Sequence, residues 1–87
     1  MLEKMIGMLY DEDGLMDRIR DGGVPSEEEK LDLINFAKKV NLDLRNNLGK
    51  QSEIVVCFDV VYEFMIHDKL EDLAVEIYQN VMAGVEL

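Results

Sequence analysis

Between Ile54 and Ile66 the chain runs through thirteen residues of which only Asp59 and Glu63 are polar. A membrane span takes about 20 predominantly apolar residues, so this run is too short to cross a bilayer as a helix. Read with period two, its even positions from Ile54 to Ile66 are all apolar, and its valines and aromatics favour strands. Three features outweigh that reading. The run is about twice the usual strand length of 5–6 residues. No turn residue divides it, and no other segment resembles a partner strand. Finally, Asp59, Glu63 and His67 recur every four residues, which draws one narrow polar line along a helix. The spacing therefore predicts a helix over 53–67 with Ser52 as N-cap. It is apolar around most of its circumference, which suits the centre of a bundle or an interface between chains.

The remaining segments supply amphipathic partners. Leu2, Met5, Leu9, Met16 and Ile19 form a helical stripe over 2–20, with a bend or break expected where the Asp-Glu-Asp cluster meets Gly14. "DGGVP" at 21–25 is a stop. Ser26 followed by Glu29 is a capping box, and Glu27, Glu28 and Glu29 sit where the helix dipole favours negative charge. Leu33, Ala37, Val40, Leu44 and Leu48 then mark a helix over 27–48, with Gly49 as its expected terminator. Asp68 and Glu71 suggest a second capping box and a joint, the alternative being one unbroken helix of roughly 30 residues over 53–83. Leu70, Leu73, Ile77 and Val81 carry a last helix over 69–83. The fold class expected is all-α: one domain over 1–87, a bundle of three to four helices around a central apolar helix.

Charge bounds the function. Nineteen acidic residues against nine basic give −10, and residues 50 to 87 alone hold eight acids and two lysines. Such a surface repels nucleic acid and anionic lipid and attracts basic protein. The expectation is therefore no direct nucleic-acid binding and no membrane association. Cys57 stands alone, cannot form an internal disulfide, and falls in the apolar run, which fits a reducing, cytoplasmic setting.

Catalytic and metal-binding patterns fail on spacing. With Gly14 at the sixth place of a calcium loop, Asp11 and Asp13 fall correctly. Leu9 at the first place and Arg20 at the twelfth do not. Asp59, Glu63, His67 and Glu71 share a helix face, yet the chain has one histidine and no Glu-x-x-His pair, so the expected role of that face is a solvated stripe. Cys57 and His67 lie near opposite ends of one helix, about 15 Å apart, too far for a dyad. Ser26 and Ser52 read as caps. No enzyme, cofactor or metal site is expected. Core filling is the default role of the six methionines; Met8, off the first stripe, is the one best placed for an exposed contact.

What is left is binding. The sequence points to a small acidic helical protein that regulates or inhibits a more basic macromolecular partner. Phage- or mobile-element inhibitors, immunity proteins and nucleic-acid mimics share this physical profile. Asp59, Glu63, Glu71, Asp72 and Glu76 are the candidate contact residues. Over "SEEE" before an amphipathic helix the chain resembles bacteriocin-immunity proteins; the likeness covers those few residues and assigns no site. The alternative is a structural or assembly subunit, a homodimer that buries the apolar helix its own chain is too short to cover.

Overall fold

The computed structural model describes residues 2 to 86. Among them five helices follow one another: α1 (Leu2–Tyr10), α2 (Leu15–Arg20), α3 (Glu27–Arg45), α4 (Gln51–Ile66) and α5 (Glu71–Val85). The first expected helix is thus two, broken at Asp11–Gly14, where Asp13 takes the left-handed conformation and the Gly14 amide donates back to the Asp11 carbonyl at 2.7 Å. The capping box forms as expected: the Glu29 amide donates to Ser26 Oγ (3.1 Å), and the Ser26 amide donates to Glu29 Oε1 (2.9 Å).

Three helices end in one hydrogen-bonding pattern. After α2, the amide of Gly23 reaches the Arg18 carbonyl; after α3, that of Leu48 reaches Asp43; after α4, that of Lys69 reaches Phe64. In each case the residue before the donor has positive φ: Gly22, Asn47 and Asp68. This is the Schellman arrangement, in which a left-handed residue turns the chain back onto orphan carbonyls. Glycine serves once; Asn and Asp, which tolerate that conformation, serve twice. Hence α3 stops at Arg45 rather than at Leu48, Leu48 stands in solvent, and Gly49 is not the terminator. Asp68 is likewise taken up in ending α4, and α5 starts after Leu70 without a side-chain cap, so the second capping box does not form. Ser52 is not a cap either, because α4 begins one residue before it, at Gln51.

α3 and α5 lie side by side in the same direction. Near their starts Lys69 Nζ donates to the Gly22 carbonyl (3.1 Å); near their ends Gly84 packs so closely that a Cβ there would meet Leu44 and the Asn41 carbonyl at 3.0–3.1 Å. α4 runs antiparallel to both, reaching back from the end of α3 to α2. Phe36, Ala37, Val40, Val60, Phe64, Ala74, Ile77 and Val81 fill the core, with Met5, Leu9, Leu15, Met16 and Ile19 of α1 and α2 sealing one end. A large side chain fully withdrawn from water, such as Phe36 or Phe64, contributes about 1.5–3 kcal/mol. The radius of gyration, 12.3 Å, matches the about 12 Å expected of a compact chain of this length.

The expected central helix, shielded all round, gives way here. α4 has two sides. Val56, Cys57, Val60 and Phe64 face inward, whereas Val55, Tyr62, Met65 and Ile66 are each about half exposed. Among the described residues α4 is accompanied by α3, α5 and the short α1–α2 pair, and these leave Val55, Tyr62, Met65 and Ile66 open to solvent.

Candidate interaction surface

Two ion clusters line the inner side of α4, and the one at Glu63 corrects the reading of the Asp59–Glu63–His67 line as a solvated stripe. Glu63 is only 7 % exposed. Arg20, at the end of α2, donates to its Oε1 at 2.7 Å, and His67 Nε2 stands 3.3 Å from its Oε2. The Arg20 hydrogen bond holds the Glu63 carboxyl below the usual glutamate range, against the opposing effect of burial. Nearer the start of the helix, Glu53 is 2 % exposed. Lys39 of α3 donates to Glu53 Oε2 (3.0 Å) and to Asp43 Oδ2 (2.6 Å), and these bonds raise the Lys39 pKa. Lys39, itself partly exposed, is thus drawn into an internal contact. A third pair joins α1 to α4: the Tyr10 hydroxyl donates to Asp59 Oδ2 at 2.5 Å. Burial first, and then that hydrogen bond, raises the Tyr10 phenol well above its ordinary value. Cys57, between these clusters, has its thiol pushed up to about 12 by burial and by nearby Glu53. A thiol so protonated is a poor nucleophile.

The outer side of α4 has the opposite character, and it continues onto α5. Helical spacing places Val55, Phe58, Tyr62 and Met65 on one stripe of α4, and Val75, Tyr78 and Met82 on one stripe of α5. The two stripes meet in a groove of about 220 Å³ lined by Val61, Met65, Ala74, Val75 and Tyr78. The rings of Phe58 and Tyr78 bridge the helices, with centroids 6.0 Å apart and planes tilted by 39°.

The five candidate acids take three different situations. Glu63 is turned inward and engaged, so it is not on offer to a partner in this structure. Asp59 is half-buried at the α4 edge of the apolar surface, beside Tyr10. Glu71, Asp72 and Glu76 are exposed on α5. By helical spacing Glu71 continues the Val75–Tyr78 stripe, while Asp72 and Glu76 follow the outer edge of α5. The structure thus sets four of the five around one apolar surface rather than in one cluster. The apolar residues themselves were not among the candidates. Their signal was the surplus of apolar side chains in 54–66, more than one helix face can bury. Met8 packs half-buried against the core, and Met65 is the methionine that opens to solvent at this groove.

Among the described residues no helix is long and apolar enough to cross a membrane. Compared with protein-family models, curated proteins and solved structures, the chain gives no match.

Proposed function

We propose that this chain is an acidic helical binding protein that regulates or inhibits a more basic macromolecular partner. It acts by occupying a surface, without chemistry of its own, in the manner of phage- or mobile-element-encoded inhibitors, immunity proteins or nucleic-acid mimics. The observation that carries the reading is the apolar α4–α5 surface flanked by Asp59, Glu71, Asp72 and Glu76, on a chain of net charge −10. Carboxylates around an apolar centre match the layout of a protein interface, with a polar rim that speeds encounter and a desolvated middle that holds. The test is affinity purification from the source cell at low and high salt, with mass spectrometry of what co-elutes. A basic partner held at low salt and released at high salt supports the proposal. A partner set unchanged by salt, or none at all, counts against it.

A second reading rests on the same exposed side chains: a homodimer in which two copies cover each other's α4–α5 face. Light scattering over a range of concentrations decides it, since a strict monomer rules it out.

A further inference from the structure

We propose that the groove between α4 and α5 is the docking site for a single amphipathic, cationic helix of a protein partner. The inference rests on the binding function proposed above and assigns it a place and an occupant. Its first support is shape. At about 220 Å³ the groove is smaller than the roughly 300–1,000 Å³ of a small-molecule or cofactor site. It lies open between two antiparallel helices, as does the trough that receives an apolar helix face, with anchors at i, i+3 or i+4 and i+7. One large apolar side chain seated between Met65, Val75 and Tyr78 would complete the wall these residues leave about half exposed. Tyr62 beside the groove, 60 % exposed, is of the residue type that most often anchors an interface.

The second support is charge, and it selects the occupant. Asp59 stands at the α4 edge, Glu71 on the groove stripe itself, and Asp72 and Glu76 along the α5 edge. Between residues 51 and 86 the one opposing lysine is Lys69, and its ammonium is directed to the Gly22 carbonyl. Laying a second copy over this face would bring its carboxylates against their own kind. A helix with lysines and arginines flanking an apolar stripe meets complementary charge on both edges, and arginine can also stack on the exposed Tyr62 ring.

The probe is a labelled synthetic peptide of about 18 residues, leucine and lysine placed to form one apolar face. Its control is a peptide of the same composition in scrambled order, so that total charge is equal. Fluorescence anisotropy at low salt should give binding about tenfold tighter for the amphipathic peptide. Amide chemical-shift changes should centre on Val61, Met65, Val75 and Tyr78. The variant Val75→Ser/Tyr78→Ser removes apolar surface without altering charge, at positions exposed enough to preserve the fold, which circular dichroism checks. It should erase the tenfold preference and leave the scrambled peptide unaffected. Leu42→Ser, an exposed apolar position on α3, should change neither. Equal binding of the two peptides, or an unaltered preference in the double variant, overturns the groove assignment. So does a wild-type dimer that Val75→Ser/Tyr78→Ser converts to monomer, which would give the face to a second copy. A salt-sensitive basic partner captured equally by wild type and double variant would end this inference while leaving the broader binding function standing.

Discussion

α3 and α4 are of similar length, 19 and 16 residues, and border the same core, yet they dispose of their charges in opposite ways. α3 sends Leu33, Phe36, Ala37 and Val40 inward and leaves Glu27, Glu28 and Lys38 in water. α4 sends Glu53 and Glu63 inward among its apolar residues and leaves Val55, Tyr62, Met65 and Ile66 outside. Periodicity identifies which residues share a face; it does not say which face the neighbours will claim. On α4 the inner face is the one that meets Lys39 and Arg20, and those cations make burial of two carboxylates tolerable. The outer apolar face is then left for something else to cover.

The largest perturbation should make the two helices look alike. Phe36→Ala in α3 and Phe64→Ala in α4 each empty a fully buried site, and each should lose about 3–5 kcal/mol in urea denaturation. That is a large part of the whole stability of so small a domain. A much smaller loss for Phe64→Ala would mean that α4 is loosely docked. Next come the buried carboxylates, which among the described residues both belong to α4. Lys39→Met strands Glu53, whose Oε1 already lacks a hydrogen-bond partner among the described residues. We expect a loss of about 2 kcal/mol, below the usual figure for a broken buried pair because Lys39 is partly exposed. Converting Glu53 to Met as well should recover most of that loss in a double-mutant cycle, since no buried charge then remains.

The acid limb of stability sharpens the contrast further, by a smaller amount because solvent screens the half-exposed Arg20. The Glu63 pKa in the folded chain lies below its ordinary 4.5. The stability it contributes is therefore fully present above that value and is lost as the pH falls through the lower, folded-state value. Glu29 at the start of α3 follows the same sign, held down by Arg18. Glu63→Gln and Glu29→Gln should each flatten the decline of melting temperature below about pH 4.5. Smallest are the caps. Ser26→Ala should weaken α3 by about 1 kcal/mol. Ser52→Ala, lying inside α4 and capping nothing, should stay within about 0.5 kcal/mol of wild type. Equal effects at the two serines would contradict the helix starts described above.

The features legible in the sequence are those governed by neighbours along the chain. The Ser26–Glu29 capping box, the break at Asp11–Gly14 and the stop at Gly22–Gly23 each need only a few consecutive residues, and each lies where the local pattern puts it. Asn47 and Asp68 were harder to read as terminators. A left-handed Asn or Asp looks like any other polar residue until the amide three places past the helix end is seen reaching back. The candidate acids were visible as acids. Their sorting into buried Glu63, half-engaged Asp59 and exposed Glu71, Asp72 and Glu76 was not, because the partners lie far away in sequence: Arg20 is 43 residues from Glu63, and Tyr10 is 49 from Asp59.

Alone, then, the order of residues settled the all-α class, the strong negative charge and the surplus of apolar side chains in 54–66, since helix period, caps and composition are local or additive properties. Only the packing of five helices decided that this surplus would be split between a core and an open groove. A helix turns its side chains through every direction, and which of those directions meets protein rather than water depends on elements distant in sequence.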